Sequence, residues 1–243
     1  MNKPDYISKP DWDILITKYS ENKLKKHLKR NYPYQYLIGN VEFYNSKIIV
    51  NKNVLIPRWE TEDLVDKIVK KIKKSKFKPK TGLDLCTGSG CIAISLSKEL
   101  EVPFIAVDTC KKALKVAKEN VAINKANVSL IKSDVLKGKL IGTFDIIVSN
   151  PPYVGYNEPV DKETEYQPKK ALYAKNNGLY FYEVLLEKIK DNLSNKYLIA
   201  MEINSALKDK ILEIAKNNYP DSIITIEKDL YSKDRFLFIT NIE

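Results

Sequence analysis

Apolar residues recur with two different periods in the first part of the chain. Over residues 11–30 they lie roughly on one face of a helix whose other face is filled by lysines, which predicts one short amphipathic helix. Between residues 41 and 56, apolar and polar residues alternate around Asn45-Ser46, a pattern typical of a β-hairpin. A second helix is predicted after Pro57, because apolar residues again follow a helical spacing there.

From Gly82 onwards, the pattern changes to strand, helix, strand. Apolar runs that predict strands lie at 82–86, 104–108, 128–131, 144–149 and 197–203, and helical patterns lie at 90–100, 111–122 and 176–192. This alternation predicts a doubly wound α/β fold with a mostly parallel sheet. Two further runs, at 223–226 and 235–239, predict a final antiparallel pair and bring the sheet to seven strands. Residues 151–175 form a long loop after a strand end, where such folds bind ligands.

The charge balance has two interpretations. The 243 residues carry a formal net charge of +10, from 41 Lys and Arg residues against 31 Asp and Glu residues. Such an excess can attract nucleic acid or an acidic protein. However, Arg30, Arg58 and Arg235 are the only arginines, and phosphate recognition favours arginine over lysine. We therefore favour a compositional bias toward lysine over a role in nucleic-acid binding.

Histidine and cysteine usage narrows the chemistry and the compartment. His27 is the only histidine, so a zinc site with two histidines is excluded, and we expect no metal site. A serine hydrolase would have to use this one residue as its base. The three cysteines, Cys86, Cys91 and Cys110, form no Cys-x-x-Cys pair, which favours a reducing, cytoplasmic location. The sequence predicts neither a signal peptide nor a membrane span.

A glycine-rich turn follows the first strand of the predicted sheet. Gly88 and Gly90 let the backbone approach a ligand closely, and the free N–H groups of the following helix point into the same cleft. Asp108 ends the next strand, where its carboxylate can accept hydrogen bonds from both hydroxyls of a ribose. Together they predict a nucleoside-containing ligand, and on these residues alone both NAD and S-adenosylmethionine stay open.

The tetrapeptide Asn150-Pro151-Pro152-Tyr153 follows the fourth predicted strand. Two prolines cannot continue a sheet ladder, so the chain leaves the sheet and Asn150 lies at its edge, beside the cleft. The Asn150 side-chain oxygen and a nearby backbone carbonyl can accept both N–H bonds of a planar –NH2 group, and Tyr153 offers a flat face for the same group. The motif predicts a substrate whose nucleophile is an amide or nucleobase amino group.

These motifs together resemble those of class I S-adenosylmethionine-dependent N-methyltransferases. Over about residues 34–243, further segments resemble the PrmC/HemK family of peptide chain release factor glutamine methyltransferases. These segments are Tyr34–Gly39, Phe43, Val54–Glu62, Tyr166–Leu172, Gly178–Tyr182, Glu202-Ile203 and Asp229–Arg235. The resemblance implies a Rossmann-like fold in three parts: a shortened helical substrate-docking segment at 1–40, a β-hairpin linker at 41–57 and a methyltransferase domain at 58–243.

The resemblance also implies an enzyme of translation termination. A cytoplasmic monomer would transfer a methyl group from S-adenosylmethionine to the side-chain amide nitrogen, N5, of the glutamine in the Gly-Gly-Gln motif of class 1 release factors, leaving S-adenosylhomocysteine. Asn150, Pro151 and Tyr153 are the implied catalytic residues, and with Pro152 they would bind the glutamine. The implied cofactor-binding residues are Cys86, Thr87, Gly88, Ser89, Gly90, Asp108, Asp134, Val135 and Asn150.

Three features depart from the family pattern. Cys86 stands where the family usually has glycine, Trp59 stands where it usually has proline, and the N-terminal helical region is shortened to about one helix. Arg58 and Glu60 are candidates either for ordering the cleft rim or for capping a helix with ion pairs. The alternatives are a ribosomal-protein glutamine methyltransferase, an adenine-N6 nucleic-acid methyltransferase and a non-catalytic ligand-binding or RNA-binding protein. Nucleic acid is the less expected substrate, because little sequence lies outside the predicted catalytic fold to hold it.

Overall fold

The computed structural model describes residues 1–138 and 140–242. Its N-terminal segment forms three short helices, α1 (Lys9–Lys18), α2 (Glu21–Lys29) and α3 (Tyr34–Ile38). The prediction of a single helix over residues 11–30 is therefore wrong. Ser20 interrupts it, because its backbone is extended and its carbonyl oxygen accepts the first hydrogen bond of α2. A small core of six buried side chains packs between these helices: Ile7, Trp12, Leu15, Leu24, Leu37 and Ile38.

The predicted β-hairpin is confirmed. β1 (Asn40–Phe43) and β2 (Ser46–Ile49) pair antiparallel, and Tyr44 and Asn45 form the turn with φ values of 40° and 60°. Two successive residues with positive φ give a turn whose twist matches that of the flanking strands. α4 (Trp59–Lys74) follows, as predicted, and buries its apolar face against the central sheet.

A seven-stranded sheet forms the centre of the molecule, as predicted. The strands after α4 are β3 (Gly82–Leu85), β4 (Phe104–Asp108), β5 (Val128–Lys132), β6 (Phe144–Ser149), β7 (Val154–Gly155), β8 (Tyr173–Ala174), β9 (Leu193–Glu202), β10 (Ile223–Lys228) and β11 (Asp234–Thr240). The sheet order is β10-β11-β9-β6-β3-β4-β5, in which β11 runs antiparallel to both neighbours and the other pairs are parallel. The carboxyl ends of the parallel strands therefore meet at one edge, where ligands bind in such folds.

Helices cover both faces of the sheet. The remaining helices are α5 (Cys91–Leu100), α6 (Lys111–Asn124), α7 (Tyr180–Lys188) and α8 (Lys208–Asn218). In β6, Ile146 and Val148 pack with α4, α5 and α6, whereas Ile147 packs with α7 and α8. The sequence pattern predicts α5, α6 and α7 but misses α8, which buries only Ile211 and Ala215 and so has a weak apolar stripe. None of the described helices is long and apolar enough to cross a membrane.

The loop over residues 151–175 is irregular, as predicted, apart from short elements. β7 and β8 form a separate parallel pair within it. Tyr166 joins the loop to the N-terminal segment, because its hydroxyl donates to the Arg30 carbonyl oxygen at 2.9 Å and its ring packs 5.1 Å from that of Tyr32. The loop that begins at Asn150 is thus held against the N-terminal helices.

Candidate active site

Three residues in the left-handed conformation shape the glycine-rich turn after β3. Cys86, Gly88 and Gly90 have φ values of 62°, 57° and 83°. Apart from its chain neighbours, a Cβ built at Gly88 would meet no described atom nearer than the Cys86 carbonyl oxygen, 4.0 Å away. The space beside Gly88 is therefore open, and the turn presents bare backbone to it.

Asp108 and Gly88 are in direct contact although they lie 20 residues apart. The Asp108 Oδ2 accepts the Gly88 N–H at 2.9 Å, and its Oδ1 accepts the Cys110 N–H at 2.7 Å. Each carboxylate oxygen keeps a lone pair for a further donor. Burial raises the pKa of Asp108, and the hydrogen bonds from Cys110 and Gly88 oppose that rise. The carboxylate is thus fixed beside the turn with acceptor capacity to spare.

Asp84 supports the same turn and leaves one acceptor unused. Its Oδ2 accepts the Thr87 hydroxyl at 2.6 Å and the Ala93 N–H at 3.3 Å. Its Oδ1 is buried and has no hydrogen-bond partner among the described residues. Burial raises the pKa of Asp84 to about 7. An unpaired buried acceptor next to an open turn fits a ligand that brings its own N–H donor.

Cys86 lies among three carboxyl groups. Burial raises the pKa of its thiol, and the charges of Asp108, Asp84 and Asp134 add to that effect. The thiol is therefore protonated at neutral pH and is a poor nucleophile. Val135 is buried in the same apolar cluster that Cys86 packs against. The structure thus brings the predicted residues of β3, β4 and the segment after β5 to one edge of the sheet.

Asn120 ties the hairpin to the glycine-rich turn, a contact that the sequence analysis missed. Its Oδ1 accepts the Ile49 N–H at 2.7 Å, and its Nδ2 donates to the carbonyl oxygens of Ile49 at 3.1 Å and Ser89 at 2.9 Å. The side chain is fully buried on the face of α6 that also carries Ala113, Val116 and Ala117. An asparagine within an otherwise apolar helix face is the signal that could have revealed it.

Asn150 lies just beyond the carboxyl end of β6, on the wall of a cavity of about 670 Å³. Its Nδ2 donates to Thr61 Oγ1 at 3.0 Å and to Glu202 Oε2 at 2.9 Å. These contacts use the donor end of the side chain, so its Oδ1 stays available to accept a hydrogen bond. Pro151 and Tyr153 line the same cavity, so the structure brings the three predicted catalytic residues together.

Glu202 lies at the end of β9, and its buried carboxyl group accepts hydrogen bonds from several of these side chains. Its Oε2 also accepts the Thr61 hydroxyl at 2.8 Å, and its Oε1 accepts the Tyr153 hydroxyl at 2.9 Å. Burial raises the pKa of Glu202, while the hydrogen bonds from Thr61 and Tyr153 and the charge of Arg235 oppose the rise. Sequence reasoning gave Glu202 no role, although an acidic residue ending an apolar strand is a readable signal.

Gly178 packs closely against the turn that follows Asn150. Its φ is 95°, and a Cβ at this position would overlap the carbonyl oxygen of Tyr153. Glycine is therefore the residue that lets the turn approach this segment without displacing it. Pro152 is buried in the turn. The stacking of Tyr153 on a substrate amide stays a prediction, while its hydroxyl is held by Glu202.

Comparisons with known proteins identify the family. Residues 61–166 match the methyltransferase small domain family. The release factor glutamine methyltransferase of Lactococcus lactis subsp. lactis (strain IL1403) is 37% identical over 96% of this chain and 89% of its own length. That of Flavobacterium psychrophilum is 38% identical over 97% of this chain and 81% of its own length. The chain belongs to the release factor glutamine methyltransferase family. A methyltransferase from Pyrococcus furiosus shares the fold, with a TM-score of 0.61 at 20% identity over 90% of this chain and 97% of that one.

The fold and the methyltransferase domain imply S-adenosylmethionine as the methyl donor of this methyltransferase. The residues at the turn fit that molecule, which carries an amino group and a ribose. The unpaired Asp84 Oδ1 can accept from the amino group, and the fixed Asp108 carboxylate can accept from the ribose hydroxyls. The space beside Gly88 is open, so a ligand can approach the backbone of the turn there.

At the rim of the methyltransferase cavity, the start of α4 meets two loops. Arg58 precedes α4, makes no side-chain capping bond, and places its Nη2 3.4 Å from Thr164 Oγ1. Trp59 packs edge-on against Tyr231 with ring centroids 4.7 Å apart. The charge of Glu60 acts on Glu202. The contact of Arg58 therefore supports a role in ordering the rim of the cavity rather than in capping α4. Trp59 lies at the outside of the rim.

Proposed function

We propose that the protein transfers a methyl group from S-adenosylmethionine to the side-chain amide nitrogen, N5, of the glutamine in the Gly-Gly-Gln motif of class 1 peptide chain release factors. The observation that carries this proposal is the orientation of Asn150, whose Nδ2 is held by Thr61 and Glu202 so that its Oδ1 can receive an N–H donor. The names of the sequence relatives support release factors as substrate over ribosomal proteins or nucleic acid.

The substrate nitrogen is a poor nucleophile, because its lone pair is delocalised into the amide carbonyl. In this proposal, Asn150 Oδ1 and the Pro151 carbonyl oxygen accept its two N–H bonds. The nitrogen gains positive charge as it attacks, so both acceptors bind the transition state more strongly than the ground state. The methylated nitrogen then loses one proton to water and becomes the neutral N-methyl amide. Tyr153, which lines the same cavity, stacks on the plane of the amide. Together these groups hold the nitrogen in line for reaction.

When bound, S-adenosylmethionine supplies an electrophilic sulfonium methyl group. We assign its binding to residues at the carboxyl ends of four neighbouring strands, namely Cys86, Thr87, Gly88, Ser89, Gly90, Asp108, Asp134, Val135 and Asn150. Asp108 would accept hydrogen bonds from the ribose hydroxyls, while Asp134 and Val135 would hold the adenine. Asn150 belongs to both sets, so the cofactor and the glutamine share one wall of the site.

Docking of the release factor is assigned to residues 1–40. Because Tyr166 bonds to Arg30, a protein held by this segment lies next to the loop that borders the cavity. The net charge of +10 adds attraction for an acidic partner, and that attraction weakens as salt screens it. In the same proposal, the enzyme works as a monomer in the cytoplasm, where release factors meet ribosomes.

A methyl-transfer assay with labelled S-adenosylmethionine tests the proposed function. The purified protein is offered a release factor, ribosomes or DNA in separate reactions, and mass spectrometry locates the added methyl group. We expect label in the release factor at the Gly-Gly-Gln glutamine. A release factor with that glutamine replaced by alanine is the matched control and should stay unlabelled. Label confined to ribosomal proteins or to DNA would overturn the proposal.

A further inference from the structure

We propose that Glu202 is a positioning residue, whose negative charge holds the Asn150 side chain in one orientation and polarises it toward the substrate. This inference rests on the proposed function for the identity of the substrate. The contact itself, from Asn150 Nδ2 to Glu202 Oε2 at 2.9 Å, is a property of the protein alone.

The carboxyl group of Glu202 joins β9 to two other parts of the chain, α4 and the turn after β6. Thr61 comes from α4, Asn150 follows β6, and Tyr153 belongs to the turn after it. The backbone of Glu202 is fixed as well, because its carbonyl oxygen accepts the Tyr182 hydroxyl at 2.8 Å. A group anchored at both its backbone and its side chain provides a rigid reference for the residues that bind it.

The donors in contact with this carboxyl group are neutral. Thr61 and Tyr153 donate hydroxyl protons, and Asn150 donates amide protons. The nearest cationic influence is Arg235, which instead lies 3.3 Å from Asp229 through its Nε. A carboxylate that is 2% exposed and held by neutral donors is costly, and a neutral side chain would fill the space at lower cost. An acidic side chain at this buried position therefore calls for a functional reason.

An ionised carboxylate allows only one orientation of Asn150. It accepts hydrogen bonds and donates none, so it must face the Nδ2 end of the side chain. Thr61 agrees with this arrangement, because its single hydroxyl proton goes to Glu202 and its oxygen accepts from Asn150. Bonding to an anion also polarises the amide and increases the negative charge on Oδ1. Glu202 thus prepares the acceptor that meets the developing positive charge on the substrate nitrogen.

Protonation of Glu202 should release this orientation. Its pKa lies above the ordinary value because of burial, so the carboxylate form is present above that raised pKa and is lost as the pH falls through it. A protonated carboxyl group can donate to Asn150 and permit the side chain to turn over. The charged and titratable groups that face Glu202 are Glu60 on α4, Tyr153 after β6, Tyr182 on α7 and Arg235 on β11.

Nuclear magnetic resonance of the whole 243-residue chain tests the contact without any substrate. The Asn150 side-chain amide signal, assigned by its absence in Asn150→Ala, should shift with pH in one step in the wild type and lose that step in Glu202→Gln. Thr61→Val removes a donor to the carboxylate, so the same step should move to higher pH. If the signal does not titrate in the wild type, or titrates alike in all three proteins, the inference is wrong.

Kinetics then test the role in catalysis. Glu202→Gln keeps the shape of the side chain and can still accept one hydrogen bond. We therefore expect kcat to fall by about 100-fold with a smaller change in KM, and we expect the acid limb of the pH profile to be lost. Glu213→Gln, at an exposed site on α8, changes the net charge equally and should match the wild type. Wild-type kcat and pH profile in Glu202→Gln would overturn the inference. If the wild type does not methylate a release factor while the amide signal still titrates, the proposed function has failed and the contact stands.

Discussion

The proposed cofactor side and the proposed substrate side of the active site are built in different ways. On the cofactor side, the parts lie close together along the chain, from β3 to Asp108, and a backbone N–H makes the contact that joins Gly88 to Asp108. On the substrate side, the parts are distant: Asn150 bonds to Thr61 across 89 residues and to Glu202 across 52 residues. These bonds run between side chains. The cofactor side should therefore be sensitive to backbone geometry, and the substrate side to single side-chain changes.

The largest effect is expected from removing the side chain at the centre of the substrate side. Asn150→Ala deletes the proposed acceptor of the substrate N–H and leaves the Thr61–Glu202 pair without its donor, so the rate constant of methyl transfer should fall by about 100- to 1000-fold. The measurement is single-turnover methylation of a release factor. Asn157→Ala, at an exposed site in the neighbouring loop, is the control and should keep wild-type activity. A near-normal rate for Asn150→Ala would remove the contrast between the two sides.

A second test shifts the backbone of the turn after Asn150 on the substrate side. Gly178→Ala introduces a Cβ that overlaps the Tyr153 carbonyl oxygen, so the turn after Asn150 must shift. We expect a loss of about 3 kcal/mol in the free energy of unfolding, from the positive φ and from overpacking together. Denaturant unfolding measures this, and kcat should fall as well.

The matched control for this change is Gly39→Ala. Gly39 has a similar φ of 97°, but a Cβ there would meet no described atom within 4 Å. It should therefore show only the conformational cost, about 1 kcal/mol. Equal losses in the two variants would mean that contact with Tyr153 adds nothing, and the turn would not depend on Gly178.

The features that could be predicted from the sequence are those whose residues lie close together along the chain, as on the cofactor side. The hairpin, the central strands and the pairing of a glycine-rich turn with Asp108 were readable, because periodicity and short-range motifs express them locally. The break at Ser20 was missed, because the apolar spacing continues across it. The contacts of Asn120 and Glu202 were missed for another reason: their partners are far along the chain, and only the folded arrangement brings them together.

A third test addresses Asn120, a side chain that makes long-range contacts on the cofactor side. Asn120→Ala removes the side-chain partner of the partly buried Ile49 backbone and of the buried Ser89 carbonyl oxygen, so we expect a loss of about 2 kcal/mol in the free energy of unfolding. Because Ser89 belongs to the glycine-rich turn, affinity for S-adenosylmethionine should also fall, by about tenfold in calorimetric titration.

The matched control for Asn120→Ala is Asn124→Ala, one helical turn further along α6. Asn124 donates to the Lys47 carbonyl oxygen at 2.8 Å, so it also holds the hairpin, but among the described residues it makes no hydrogen bond to the glycine-rich turn. Asn124→Ala should cost less than about 1 kcal/mol and leave cofactor affinity unchanged. If both variants weaken cofactor binding equally, the hairpin rather than the contact with Ser89 supports that side of the site.

The smallest effect is expected at Trp59, which stands outside both sides. It is the first residue of α4, where proline is well tolerated because the N–H needs no partner within the helix. The preceding residue, Arg58, already has the extended backbone (φ −102°, ψ 153°) that proline demands of its neighbour. Trp59→Pro should thus lose only the edge-on contact with Tyr231, about 1 kcal/mol or less in denaturant unfolding.

Tyr231→Ala should cost a similar amount, and the double variant should add little, because both remove the same contact. A loss of several kcal/mol in Trp59→Pro alone would show instead that the start of α4 depends on tryptophan, and that the rim is coupled to Thr61 and the substrate side.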